Sequence, residues 1–518
     1  MDWCPKGVDI AASILSRSNN GFLVYFDPDV DGLFSGKEVC DFLDAFGKPY
    51  QRYINQNRAH GFFYEDIASL RGKTVIAVDF AITPDKLELL RQNRVLLINI
   101  DHHNIDSPSL VTYSFDGSDQ IDGVVINNQY SFEPEEHRYL SGAGVVFYVL
   151  SHLVSGFDCE INRAIVGLTL LSDIRPLENE NARIFLKTCY TCRHPYMKYL
   201  VDVTKAEKDF TFGVPRMERN YVDYTFSPKI NALFRLNMGD VAMDLAFGKR
   251  PAFSLNDARE KQNEIRDYII RGVKSPFRTN GLLQVGTPEV VIQNFVRATD
   301  AGMTVPDYSL ELKNLSVKYI APALYEDKYT LSNFIGLACS HIKGFGTSCL
   351  TYVGDDDAVE RGSFRGRFDS VDYLGVFRKY GFAGRCDGHK VAFGVLPSNL
   401  SEIDFAGLSS EIGKLEAEAA KHEYENRVVD VDNMSVFIHS SMLKEIALSN
   451  IYVRDSHRMY IRYTGTNVVR NQRGNMYEFN IDGIVVKCFN DDITTANGYI
   501  LPIYDRGQLA FYLKNIKK

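Results

Sequence analysis

A chain of 518 residues with 45 % apolar content is long enough for several domains, each with a core of its own. Its formal charge of −8, from 58 Lys and Arg against 66 Asp and Glu, excludes a protein that coats nucleic acid non-specifically, since that task needs a basic domain; a local basic groove stays open. No stretch approaches the roughly 18 apolar residues of a membrane span, MDWCPKGVDI lacks the pattern of a leader, and the 9 cysteines read as reduced thiols, so a cytoplasmic chain without a membrane partner is expected.

In chain order, Gly21-Phe22-Leu23-Val24-Tyr25-Phe26 reads as a strand running into Asp27-Pro28-Asp29-Val30-Asp31-Gly32, with helical spacing over 35–46. A second apolar run, Thr74-Val75-Ile76-Ala77-Val78, ends at Asp79, and Val95-Leu96-Leu97-Ile98 leads into Asp101, His102 and His103. Short aliphatic runs alternating with helical spacing predict βαβ units and a parallel sheet buried on both faces. Gly142-Ala143-Gly144 opens an apolar helix to about Val154, and the apolar run 165–171 ends at Ser172-Asp173. All four runs that end in acids are taken as strand carboxyl ends, where open α/β sheets place their chemistry. For INIDHHN alone, a solvated loop with two surface histidines is the open alternative.

The predicted organisation is an α/β domain over 1–195, a helical connector over 196–275 that finishes in a solvated helix at 256–274, and a second, smaller α/β domain over 276–427. Short strands at 436–438, 459–463, 476–481, 484–489 and 509–513 predict a small β domain over 428–518, with an OB-like barrel as one candidate. There Tyr452, Arg454, Arg458, Tyr460, Arg462, Tyr463, Arg470, Arg473 and Tyr477 interleave stacking and phosphate-binding types; the alternative is a sheet with a tyrosine-rich core face and solvated arginines. Cys189-Tyr190-Thr191-Cys192, with His194 beside it, has metal-ligand spacing but no second pair to complete a zinc site.

In extended backbone the alternating acids of DPDVDG would share one side, and like charges that close repel unless cations neutralise them. With Asp79, Asp101, His102, His103 and Asp173 they form an oxygen-rich set with some imidazole, suited to Mn²⁺ or Mg²⁺. A pair of such ions roughly 3.5–4 Å apart serves phosphoryl transfer.

IDHHN resembles the signature of the DHH phosphoesterase superfamily, and DPDVDG, VDF, DHH and LSDIRPLENENAR resemble its N-terminal motifs in family order. NRAHGF (57–62), LSGAGVVF (140–147), SPKINALFRL (227–236), GSFRGR (362–367) and DGHKVAFG (387–394) extend the resemblance to RecJ-like single-strand exonucleases, with a DHH-associated nucleic-acid-binding domain over 276–427. The resemblance implies an exonuclease with two Mn²⁺ or Mg²⁺ ions per site, removing mononucleotides from the 5′ end of single-stranded DNA in repair, recombination or replication. Asp29 would hold one ion, Asp31, His102 and Asp173 the other, and Asp79 would bridge them. His103 would face the scissile phosphate and Asp101 would orient His102 from behind. Arg58, Ser363 and Arg365 match positions that cradle a terminal 5′-phosphate; Asn231, Arg235, Gly388 and His389 match the phosphate path. Asp27 stands where the family has His, Asp387 where it has Gly, and Phe234 where it has Gly before Arg235. A carboxylate at Asp27 still suits a hard cation. The implied partners are single-stranded DNA and a single-strand-binding protein or helicase. Other readings are a phosphodiesterase for oligonucleotides or cyclic dinucleotides, and a replication scaffold with a dead site.

Overall fold

The computed structural model describes residues 3–271 apart from 19–20, 56–59, 106, 178 and 206–216, and beyond them 277–279, 282–286, 290–295, 333–343, 348–354, 358–368, 370–396, 398–422, 428–431, 441–452, 459–463, 468–473, 476–481, 484–488, 498–505 and 508–514. The chain divides into two compact units, one reaching Ile412 apart from 176–178 and 368–371, the other comprising Gly413–Lys518 with those two segments.

The first unit opens on a six-stranded sheet in the order β2-β1-β3-β4-β6-β5. Its strands are β1 (Phe22–Phe26), β2 (Tyr50–Ile54), β3 (Thr74–Val78), β4 (Leu96–Asp101), β5 (Thr112–Tyr113) and β6 (Gly123–Asn127). All pairings are parallel except that of β5 with β6. Every residue of β1, β3 and β6 is buried, as expected of strands covered on both faces. Helices Val30–Ala45, Gly142–Leu153, Glu160–Ser172 and Glu180–Thr191 follow from this α/β pattern.

Three expectations need correction. The run 165–171 lies inside the helix Glu160–Ser172, so Asp173 caps a helix carboxyl end and not a strand end. A helix buried on most sides shows the same continuous apolar run as a buried strand. Asp29 and Asp31 do not share an extended segment either: Asp29 is the N-cap of Val30–Ala45, its carboxylate accepting from the Gly32 amide, and Asp31 occupies the first turn. Finally, the polar helix Leu255–Arg271 is not simply solvated, since Leu255, Ala258, Gln262 and Ile265 are buried.

Between the first sheet and this helix run Pro195–Thr204, a continuous helix from Arg219 through Arg235, and Gly239–Ala246. An eight-stranded antiparallel sheet follows: β7 (Phe277–Thr279), β8 (Leu282–Gly286), β9 (Val290–Phe295), β10 (Ser348–Gly354), β11 (Ala358–Arg365), β12 (Cys386–His389), β13 (Ala392–Val395) and β14 (Ser398–Asn399). Phe364 of β11 anchors it, its ring 4.6 Å from Phe377 and 4.9 Å from Phe393. The motif residues Ser363 and Arg365 sit on β11, and Gly388 and His389 on β12.

The second unit is a mixed seven-stranded sheet ordered β15-β16-β20-β21-β19-β18-β17 with the helix Ser441–Tyr452. Its strands are β15 (Val428–Val431), β16 (Tyr460–Tyr463), β17 (Val468–Arg473), β18 (Met476–Ile481), β19 (Ile484–Cys488), β20 (Gly498–Asp505) and β21 (Gln508–Lys514). That strand order differs from the five-stranded barrel of an OB fold. Leu443, Ile461, Phe479, Val486, Ile500 and Leu513 are among the residues of its own core. Tyr460 is buried, Tyr477 packs on the core and Arg462 is exposed, so these three do not form one stacking surface. The strand expected at 436–438 and the side chains of Tyr452, Arg454, Arg458, Tyr463, Arg470 and Arg473 lie outside the described residues.

Candidate metal centre

β1, β3 and β4 are adjacent and parallel, so their carboxyl ends deliver Asp27–Asp31, Asp79 and Asp101–His103 to one edge of the sheet. The carboxyl end of Glu160–Ser172 adds Asp173. Around His102 Nε2 stand three carboxylate oxygens, Asp79 Oδ1 at 3.0 Å, Asp173 Oδ2 at 3.7 Å and Asp31 Oδ2 at 3.8 Å. Three sets of ligand atoms lie within 4.8 Å of one another: Asp31 with His102 and Asp173, Asp27 with Asp29 and Asp79, and Asp79 with His102 and His103. Asp79 thus belongs to two of the three sets, with Asp27 and Asp29 in one and with His102 and His103 in the other.

Local backbone explains the placement. Asp79 has φ +67°, a left-handed conformation that Asp tolerates better than most residues, and its amide donates to Ile100 O at 2.9 Å. Asp31 is fixed by the amino end of Gly142–Leu153, where the amides of Gly142 and Ala143 donate to its two oxygens at 2.6 and 3.0 Å. Gly142 must be glycine there, because a Cβ would fall 2.5 Å from Asp79 Oδ1.

The electrostatics call for a cation. Burial, reinforced by repulsion from neighbouring carboxylates, pushes Asp31 and Asp79 well above the usual carboxylate range, and burial also raises Asp27. Burial pushes His102 well below the ordinary imidazole value and leaves it neutral, the form that binds metal. Asp27 Oδ1, Asp79 Oδ1, Asp173 Oδ2 and His102 Nδ1 are buried with no hydrogen-bond partner among the described residues. Such orphaned acceptors, beside a neutral imidazole, fit a hard divalent ion.

Asp101 corrects one expected role. Its Oδ1 meets His103 Nδ1 at 2.7 Å and its Oδ2 accepts from Asn127 Nδ2 at 3.1 Å, so its carboxylate orients the ring of His103, not that of His102. Burial opposes the charged ring of His103, yet Asp101, with Asp173 and Asp27 further off, outweighs it and lifts its pKa to about 10.

Of the phosphate-path candidates, His389 reaches the cluster: its Nε2 is 3.9 Å from Asp173 Oδ1 and its ring is stacked at 6.3 Å on His103. Gly388 before it has φ +134°, which no side chain adopts readily. Arg365 Nη1 donates to Ser363 Oγ at 2.9 Å, and both face Gly336 at the start of the helix Ile335–Lys343. Asn231 and Arg235 lie on Ser227–Arg235, where Arg235 donates to Gln262 Oε1 at 2.7 Å. Arg58 lies outside the described residues. Cys189 is a buried thiol donating to Met217 O at 3.4 Å, and it joins none of the metal-ligand groups found among the described residues.

Sequence reasoning did not assign His60, whose Nδ1 meets Asp27 Oδ2 at 2.6 Å, Asn127, or Arg175, whose Nε is 3.8 Å from Asp173 Oδ2. His60 and Arg175 sit inside quoted motifs, which is the available signal.

Residues 22–172 match the model of the DHH family, N-terminal domain. No curated protein matches the sequence. Among solved structures, RecJ from Thermus thermophilus in complex with Mn²⁺ is similar with a TM-score of 0.60 at 17 % identity, over 99 % of this chain and 72 % of that one. RecJ of the same organism in complex with Mg²⁺ gives a TM-score of 0.53 at 15 % identity, over 99 % and 70 %. At this identity the likeness is one of fold.

Proposed function

We propose that this chain, with a DHH-family domain at residues 22–172 and a RecJ-like fold, is a metal-dependent phosphodiesterase that removes mononucleotides from the 5′ end of single-stranded DNA. The observation that carries the reading is the converging set of Asp27, Asp29, Asp31, Asp79, His102 and Asp173, with three buried carboxylate oxygens, Asp27 Oδ1, Asp79 Oδ1 and Asp173 Oδ2, left without a hydrogen-bond partner among the described residues. Asp29 with Asp27, and Asp31 with His102 and Asp173, are the residues that would hold two Mn²⁺ or Mg²⁺ ions, with Asp79 shared. A divalent pair supplies an acidified water and charge neutralisation on the attacking and leaving oxygens of a phosphodiester. His103, kept protonated by Asp101, presents a cationic donor to a phosphate oxygen, and His389 lies alongside. Ser363 and Arg365 supply a hydroxyl and a planar guanidinium beside a helix start, a suitable receptor for a terminal phosphate.

The test uses purified full-length protein with Mn²⁺ and four substrates: 5′-phosphorylated and 5′-hydroxyl single-stranded DNA, single-stranded RNA and a cyclic dinucleotide. Expected is 5′ to 3′ release of mononucleotides, fastest from the 5′-phosphorylated DNA. Asp79→Ala abolishes hydrolysis and leaves DNA binding largely intact. Arg365→Ala erases the 5′-phosphate preference, which charge-assisted hydrogen bonds worth about 1.5–3 kcal/mol each make tenfold or more. Degradation from the 3′ end, faster turnover of the cyclic dinucleotide, or full activity in Asp79→Ala overturns the reading.

A further inference from the structure

His60 stands outside every role assigned above, yet it is tied to the first acid of DPDVDG. Asp27 is 2 % exposed and divides its two oxygens. Oδ2 is held by His60 Nδ1 at 2.6 Å, while Oδ1, buried and with no hydrogen-bond partner among the described residues, belongs to the residue that joins Asp29 and Asp79 in a ligand group. A carboxylate that ligates a cation is ionised and has no proton to offer, so with Oδ1 on a metal the proton of this bond would sit on Nδ1.

The imidazole is held in place from behind. Asn55 Nδ2 donates to Gly61 O at 2.6 Å, and Asn55 Oδ1 accepts from the Tyr25 hydroxyl. Gly61 has φ +78°, and Phe62 is buried with its ring 4.7 Å from Tyr25 and 5.2 Å from Phe80. The chain on the carboxyl side of His60 is thereby locked to β1 and to the turn after β3. The arrangement repeats a device already present at the site, where His103 Nδ1 meets Asp101 Oδ1 at 2.7 Å. In both pairs a buried aspartate grips the Nδ1 side of a partly exposed imidazole.

We propose that His60 is a positioning residue for the metal centre: by donating to Oδ2 it fixes the Asp27 carboxylate so that Oδ1 ligates. The inference rests on the metal-centre reading of Proposed function, and its readout is metal binding without substrate.

The experiment is Mn²⁺ titration of the full-length protein, followed by calorimetry and by the electron paramagnetic resonance signal of free Mn²⁺, with thermal unfolding of the metal-free protein in parallel. Loss of a hydrogen-bonding partner behind a metal ligand typically costs 10–100-fold in metal affinity. His60→Ala is expected to lose about that much, with the metal-free unfolding temperature nearly unchanged because the ring is half exposed. His60→Asn, whose amide can donate from near the Nδ1 position, is expected to recover most of it. In an Asp27→His background, where no carboxylate remains to be held, His60→Ala is expected to cost less than about threefold, a coupling that a purely structural role does not produce. Should His60→Ala fail to fold, His60→Leu is read in its place. Wild-type affinity in the truncated variant, equal loss in His60→Asn, or the same cost in both backgrounds overturns the role of His60 and leaves the metal centre standing. A wild-type protein that takes up no Mn²⁺ overturns the metal-centre reading itself.

Discussion

Gly142 shows how tightly individual residues constrain this centre. A methyl group at that position would lie 2.5 Å from Asp79 Oδ1 and 2.7 Å from Asp79 Cγ, and the same residue's amide donates to Asp31. Gly142→Ala must therefore displace Asp79, Asp31 or the helix start, and each shift spoils the shared ligand. Mn²⁺ affinity is expected to fall tenfold or more, in line with the cost of disturbing a ligand's support, measured by titration calorimetry. Gly144→Ala is the control, because its added carbon meets only the apolar Leu140 side chain, 2.9 Å away at its closest. Equal affinities in wild type and Gly142→Ala would show that Asp79 is not a ligand. At this scale the sequence discloses residue types and motif order, so Asp27, Asp29, Asp31, Asp79, His102 and Asp173 can be named before any geometry. What it conceals are partners: that Asp101 grips the ring of His103, and that His60 grips Asp27, depends on side-chain directions that no residue spacing encodes.

Among the elements, legibility follows burial. β1, β3 and β4 announce themselves as short aliphatic runs because both faces are covered, whereas β2, an edge strand with exposed Gln51 and Tyr53, carries no such run and escapes prediction. β6 escapes it too although GVVIN is wholly buried and as long as β1 and β3, since it ends in no acid. The same burial misleads at Glu160–Ser172, where a helix packed on several sides imitates a strand. Val30–Ala45 is the extreme case, buried over most of its length and carrying Lys37 and Glu38 inward with it. Lys37 finds Asp41 and the face of Tyr196, 4.7 Å from the ring centre. Glu38 is fully buried, neither carboxylate oxygen has a hydrogen-bond partner among the described residues, and burial holds it well above the usual carboxylate range. The folded state therefore binds a proton that the unfolded state has released, so this group costs stability as pH rises above the ordinary carboxylate range, and the cost grows until the folded-state value is passed. Glu38→Gln removes that dependence. The unfolding temperature of the variant minus that of wild type is expected to rise as pH increases above the ordinary carboxylate range, read by thermal melts at a series of pH values. A difference that is flat with pH would mean that Glu38 is ionised in the fold.

For the whole molecule, motif order places the chemistry in the first unit, and the two compact units divide at 412/413, within the helix Phe405–His422, near the expected start of the tail at 428. The tail's β character is legible from turn spacing, but the helix Ser441–Tyr452 and β15, β17 and β20 are not, because their short segments lack a clean period of either kind. Deleting 428–518 keeps Phe405–His422 whole and removes a segment whose core, built around Leu443, Ile461, Phe479 and Ile500, is its own. Mn²⁺ affinity and cleavage of very short oligonucleotides are expected to stay at wild-type values. If the tail grips a long strand, the buried Tyr460 and the core-packed Tyr477 leave little stacking to contribute, and exposed cations such as Arg462 must supply the hold. Such contacts act by releasing counterions from the strand, so they weaken steeply with salt. The truncated protein is therefore expected to bind a long single strand several-fold more weakly than the full chain at low salt, with the gap closing as salt is raised, measured by fluorescence anisotropy. Equal affinity at low salt removes the tail from DNA binding, and a gap that persists unchanged at high salt assigns the grip to stacking by tyrosines instead.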